Sequence, residues 1–175
     1  CEFWSGSGEF GGYYDVTANI ENNLFARSSL DAFGNTYTNN YLSFSNNLFW
    51  NGAFSIRPRL SSNYWSFFNN SFDHITNTFG QIAQNMVNDY NAYIGDTNVT
   101  QRLNPLGSHD LILSNFIYQA GPLGNFYQPT NSSLINAGSV TADVPGLYHY
   151  TTTTNQMKEG NSLVDIGYHY VAVDS

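Results

Sequence analysis

The sequence predicts an all-β fold, a right-handed parallel β-helix of about seven coils. A recurring phrase is the first sign: Ile20-Glu21-Asn22-Asn23-Leu24-Phe25, Phe44-Ser45-Asn46-Asn47-Leu48-Phe49 and Phe67-Phe68-Asn69-Asn70-Ser71-Phe72. The spacing is 24 residues from Asn22 to Asn46 and 23 from Asn46 to Asn69. A longer echo agrees with it. Phe3-Trp4-Ser5-Gly6 returns as Phe49-Trp50-Asn51-Gly52 after 46 residues, two periods of 23. Residue chemistry then chooses between solenoids. A leucine-rich repeat wants regular leucines and a helical segment in each repeat. Here the apolar positions are Phe, Tyr, Trp, Ile and Leu in alternating runs, which is strand chemistry.

The asparagine pairs suit the corners of such a coil. A tight corner needs a positive φ or a side chain that bonds its own backbone, and Asn supplies both. Stacked coils repeat about every 4.8 Å, so Asn22, Asn46 and Asn69 should form one line, with Asn23, Asn47 and Asn70 beside them in an amide ladder. Met86-Val87-Asn88-Asp89-Tyr90 reads as a fainter fourth copy.

Composition bounds the function. Of 175 residues only 10% are charged, while 17% are aromatic and 24 are asparagine. A net charge of −8 with five basic residues argues against nucleic acid and leaves no basic patch for anionic lipid. No apolar run approaches the roughly 20 residues of a membrane span. Cys1 stands alone, so no internal disulfide forms. It aligns with Asn47 in mid-coil and reads as a continuation from upstream coils, in preference to a lipid-bearing first residue.

Along the chain, residues 1–120 are expected to hold the coils. Ser5-Gly6-Ser7-Gly8 should turn the first one, and the literal GxGxxG from Gly6 to Gly11 is a glycine-rich corner, because aromatic β-prone sequence follows it where a dinucleotide site needs a helix. Phe and Leu from successive coils should stack inward as an apolar column. Tyr13, Tyr37, Tyr41, Tyr64 and Trp65 are read as outward, packing on a flat sheet or offering a surface for sugar stacking. Residues 81–93 suit an irregular coil or a short helix, and Pro105 to Asp110 a turn before the strand Leu111-Ile112-Leu113.

Residues 121–175 carry Ser133-Leu134-Ile135-Asn136-Ala137-Gly138-Ser139 and, after a long insertion, Val164-Asp165-Ile166-Gly167-Tyr168-His169-Tyr170. These resemble the last coils of secreted bacterial right-handed β-helix repeat proteins, which end on phrases like SPLIDAGS and DIGAYE. Ser133 stands where those have proline, Asn136 where they have aspartate, and Tyr168-His169-Tyr170 where they have Ala-Tyr-Glu. The resemblance implies closing coils over 121–175, export, and an extracellular or cell-surface bacterial setting. It implies little about chemistry, since one fold hosts many functions.

Few residues match the catalytic patterns of β-helix enzymes. Arg57-Pro58-Arg59 and Asp73-His74-Ile75-Thr76 resemble fragments of pectate lyase motifs, which makes Arg57, Arg59, Asp73 and His74 the only catalytic candidates. Their order departs from that family, and Arg57 and Asp73 lie 16 residues apart, less than one coil. The thirteen carboxylates form no Asp-x-Asp pair or calcium loop, and no two histidines stand at i, i+4, so no metal or cofactor is expected. His149 and His169 each sit in Tyr-His-Tyr and are read as a paired strand ladder. The expected function is a non-catalytic structural or interaction protein, stacking end to end on its own kind as a filament or on upstream coils. The rival is a carbohydrate-active enzyme or a polysaccharide-binding module.

Overall fold

A computed structural model describes residues 1–34, 39–57, 63–79, 85–95 and 102–173. The expected fold class is what it shows: an all-β parallel solenoid with no helix among the described residues. One sheet stacks β1 (Glu2–Gly11) on β3 (Leu24–Phe33), then β5 (Leu48–Trp50) with β6 (Ala53–Arg57), then β8 (Ser71–Asp73) with β9 (Thr76–Phe79), and finally β11 (Ala92–Ile94) and β12 (Leu111–Leu113). The second, four-stranded sheet stacks β2 (Val16–Glu21), β4 (Asn40–Ser45), β7 (Tyr64–Phe68) and β10 (Met86–Asp89). Four strands there mean about four coils, not seven, because the chain leaves the solenoid after β12.

Inward side chains fall in register and stack. Phe3, Phe25, Phe49, Phe72 and Tyr93 form one column, with ring centroids 5.0, 5.1, 5.0 and 5.4 Å apart. Phe44 stacks on Phe67 at 4.9 Å in the facing sheet. Each ring fully buried in this way contributes roughly 1.5–3 kcal/mol. At the level of β1 the second sheet has no described strand, and a cavity of about 360 Å³ opens there beside Phe3, Phe10, Ile20, Phe25 and Leu30.

The two asparagines of each corner divide the work. Asn22, Asn46 and Asn69 hold φ of 50°, 54° and 59°, the left-handed turn that closes each corner. The amide ladder belongs to the second asparagine. Asn47 Oδ1 accepts from the Asn23 N–H (2.9 Å) and Nδ2 (3.1 Å), and Asn70 Oδ1 accepts from the same atoms of Asn47 at 3.1 and 3.0 Å. Asn91 Oδ1 repeats the pair for Asn70. Each amide also donates back across its corner, Asn47 to the carbonyl of Ile20 and Asn70 to that of Phe44. The fourth copy is therefore Tyr90-Asn91, two residues beyond the expected Asn88-Asp89, and Tyr90 takes the left-handed position at φ 57°.

Asp110 ends the ladder. Its Oδ1 accepts from Asn91 N–H at 2.7 Å and its Oδ2 from Gly107 N–H at 2.8 Å. A carboxylate has no N–H to pass to a further coil. The Pro105–Asp110 turn fastens to the last coil beside it. Asn88 Nδ2 donates to the Pro105 carbonyl, and His109 donates its N–H to Asp89 (2.7 Å) while its ring stacks on Tyr90 at 4.4 Å.

Residues 121–175 were expected as closing coils, and the described part instead folds back over the first sheet as a separate layer. Its strands are two antiparallel pairs, β13 (Gln119–Gly121) with β14 (Gly124–Tyr127) and β15 (Tyr150–Thr151) with β16 (Tyr170–Val171). The last pair joins the two Tyr-His-Tyr phrases. The layer covers the side chains that alternate with the inward column: Phe126, Tyr127 and Tyr170 pack on Leu24, Ala26 and Leu48, and Leu134 and Ile166 on Ala92 and Ile94. Both faces of this sheet are thereby buried around Leu24, Ala26, Leu48, Ala92 and Ile94, a pattern the solenoid alone would not produce.

The division of labour predicts different costs at one corner. Asn47→Leu removes an acceptor for two donors of Asn23 and takes the Nδ2 donor from Asn70 Oδ1 and from the Ile20 carbonyl, and should destabilise the chain by about 1–3 kcal/mol in urea. Asn46→Gly keeps the left-handed turn and loses one hydrogen bond, about 0.5–1.5 kcal/mol. Equal losses would contradict the assignment.

Candidate functional site

The outer face of the four-stranded sheet carries exposed side chains on successive strands. Along it side chains alternate in and out, so Thr17, Tyr41 and Tyr64 share one outward row, and Asn19, Ser43 and Ser66 the next. Tyr41 and Tyr64 are 49% and 45% exposed. Tyr13 and Tyr14, just before β2, extend the aromatic edge at 78% and 83% exposure. Ser66 Oγ donates to Ser43 Oγ at 3.0 Å, so the neighbouring row is a hydroxyl ladder without charge. The result is a flat strip of phenol rings beside uncharged polar groups.

Of the residues expected on such a surface, Trp65 is not there. It is wholly buried, because the alternation that turns Tyr64 outward turns Trp65 into the column between Leu42 and Met86. Tyr37 lies outside the described residues.

The catalytic candidates are not gathered into one site. Arg57, at the end of β6, is level with Phe33 and forks onto Asp31, its Nε donating at 3.0 Å and Nη2 closing the pair. Asp73 is level with Trp50, at the opposite end of its rung. Arg59 lies outside the described residues. Asp73 and His74 do form a couple, with Nδ1 2.5 Å from Oδ1. Asp73 is buried, and desolvation raises its pKa against the opposing pull of His74. Beneath the C-terminal layer, burial and then the charge of Asp73 push the phenol of Tyr118 well up. His74 itself is half exposed and sits at a second left-handed corner, where Ser5, Arg27, Asn51, His74 and Gly95 all hold φ between 50° and 65°. The imidazole lies directly over Gly95, where a Cβ would meet it at 2.5 Å.

Sequence reasoning missed a buried charged cluster in the C-terminal layer. Glu159, Asp165 and His169 are each nearly inaccessible. Glu159 Oε1 stands 3.3 Å from His169 Nε2, and Asp165 accepts from the Asn136 N–H (2.6 Å) and from the Thr152 hydroxyl. The carboxylates line a cavity of about 270 Å³ with Asn136, Thr153, Asn155 and Lys158. Nothing in the spacing of residues 159, 165 and 169 announces this meeting, since they lie on irregular backbone. Among the described residues no group of three His, Cys, Asp or Glu could hold a metal ion, and no helix is long and apolar enough to cross a membrane.

No family model matches the chain, and neither a curated protein nor a solved structure matches it.

The two neighbours on β7 test the assignment of faces. Trp65→Ala should cost about 3–5 kcal/mol through the cavity it leaves, and Tyr64→Ala should stay within about 0.5 kcal/mol of the parent. Thermal denaturation of the two variants reads the difference directly.

Proposed function

We propose that the chain is a secreted or cell-surface interaction module, without a catalytic role, whose tyrosine edge binds an uncharged polysaccharide. The carrying observation is the exposed pair Tyr41 and Tyr64 on adjacent coils beside the Ser43–Ser66 hydroxyl ladder, with exposed Tyr13 and Tyr14 just before β2. The phenol rings of Tyr41 and Tyr64 on adjacent coils offer apolar faces for sugar rings, and the flanking hydroxyls and amides exchange hydrogen bonds with sugar hydroxyls without the desolvation cost of a charge. The separation of Arg57 from Asp73 supports a binding role over a lyase site. Export and a bacterial surface belong to the same reading, through the resemblance of the Ser133–Ser139 and Val164–Tyr170 phrases.

A glycan array tests it. Binding to neutral glycans should fall at least about tenfold in Tyr41→Ala/Tyr64→Ala, equivalent to about 1.4 kcal/mol, with thermal stability retained. Ultraviolet-absorbing unsaturated product released from a uronide polymer, and lost in Arg57→Ala, would overturn the non-catalytic reading.

A second reading, association with a second copy, rests on the exposed β1 edge and the cavity beside it. An exposed ten-residue edge strand is a template for another strand. Asp110 and the 102–110 segment occupy the opposite end, so the amide ladder would not run through a joint between copies. Sedimentation should show association in the parent and a monomer in Phe10→Glu. A parent that is monomeric at micromolar concentration removes self-association.

A further inference from the structure

The C-terminal layer is fastened to the solenoid along the row of first asparagines. His169 donates its N–H to Asn22 Oδ1 (2.8 Å), and Asn22 Nδ2 returns a bond to the His169 carbonyl (3.0 Å). Asn46 Nδ2 donates to the Asp165 carbonyl at 3.1 Å. At Asn69, the carbonyl accepts from Gly167 N–H (2.9 Å) and Oδ1 from Ser139 N–H (2.8 Å). Gly138 permits this closeness, because a Cβ there would meet the Val164 carbonyl at 2.4 Å. Two residues that make these contacts by their backbone, Asp165 and His169, place their side chains in the buried cluster with Glu159.

The cluster is electrostatically unfinished. Among the described residues Glu159 accepts from the Asp165 N–H at 3.3 Å and approaches His169, and neither ring nitrogen of His169 completes a hydrogen bond. Among the described residues, the side chains of the solenoid that bond to this part of the layer are the neutral amides of Asn22, Asn46 and Asn69. Within the layer the titratable groups facing Asp165 are Glu159 and His169, and Lys158 lines the cavity the two carboxylates share. Burial and the neighbouring charge of Glu159 favour the protonated form of the Asp165 carboxyl.

We propose that Glu159, Asp165 and His169 form a proton-operated latch, which holds the C-terminal layer closed on the asparagine row in mild acid and loosens it toward neutral pH. Desolvation first, and then the charge of Glu159, pushes the Asp165 carboxyl up to about 6, from roughly 3.9 in an unfolded chain. A raised carboxyl pKa means the closed form binds the proton more tightly than the open one. The stabilisation is therefore whole below about pH 4 and is lost as pH rises through about 6. Loosening would uncover the apolar outer face of the first sheet at Leu24, Leu48 and Ile94.

Hydrogen exchange with mass spectrometry reads the latch at its own amides, Ser139, Gly167 and His169. After correction for intrinsic exchange chemistry, these should be at least about tenfold better protected at pH 5 than at pH 7.5. Coil amides such as those of Phe44 and Phe67 should change little. Asp165→Asn should remove the pH dependence while circular dichroism stays β-type. Glu159→Gln, which keeps the Asp165 carboxyl and removes its charged neighbour, should move the midpoint to lower pH and serves if the first variant does not fold. A flat profile in the parent, a profile unchanged in both variants, or layer and coil amides shifting together would each overturn the latch.

Discussion

The structure depends on one constraint at one corner: each coil must turn through a left-handed residue and leave the next amide aligned with the coil below. The first requirement costs an L-residue roughly 1 kcal/mol unless its side chain is tolerant of that region. The second buries an amide that must find both its donors and its acceptor, or cost about 1–3 kcal/mol for each group left over. Asparagine satisfies both demands, and so it stands twice in a row at three successive corners. The aromatic columns follow from this. Once the corners superpose, every inward position superposes too, and Phe25, Phe49 and Phe72 meet as stacked rings 5.0–5.1 Å apart.

That constraint also explains what could be seen in the sequence. The coil period, the fold class and the inward phenylalanines were legible because they recur together with the asparagine pair. The roles within the pair were not, since Asn46 and Asn47 are chemically identical and only the backbone distinguishes the corner residue from the ladder residue. The last full corner was misplaced for a related reason. Tyr90 fills the left-handed position there, and the nearby Asn88-Asp89 offered a false copy two residues early. Trp65 was misjudged by one residue of strand parity, as Tyr64 and Trp65 differ little in composition and completely in facing. The C-terminal layer was hidden more deeply. It grips Asn22 from residue 169, a separation of 147 residues, and no local period reports such a contact.

Charge is sparse in this chain, and two of its clusters lie where the solenoid's own repeat stops. At the far end Asp89, His109 and Asp110 close the ladder; in the overlying layer Glu159, Asp165 and His169 lie behind the fastening. The amide-ladder corner needs no ions, because amide pairs and stacked rings satisfy it, and the Arg57–Asp31 pair between coils lies away from it at the end of β6. Ends and seams are different, since there a donor or acceptor has no partner in the next coil, and a carboxylate can accept from several N–H groups at once. Asp110 shows the principle in its simplest form: it differs from the asparagines above it only in lacking the donor that a further coil would have received.

The second corner sharpens the argument by contrast. Ser5, Arg27, Asn51, His74 and Gly95 repeat the left-handed turn, yet no two of them are alike. No amide ladder runs along this corner, so the backbone requirement stands alone, and each residue bears only the modest cost of a positive φ. Side-chain identity is then free for other uses. Arg27 lies over the ring of Trp4 at 5.9 Å, and His74 couples to Asp73. A solenoid that fixes one corner with buried amides and leaves the other open to solvent separates the residues that build the coil from those that can differ between coils. The first set made the repeat visible, and the second set is where chemistry can vary from coil to coil without loss of the fold.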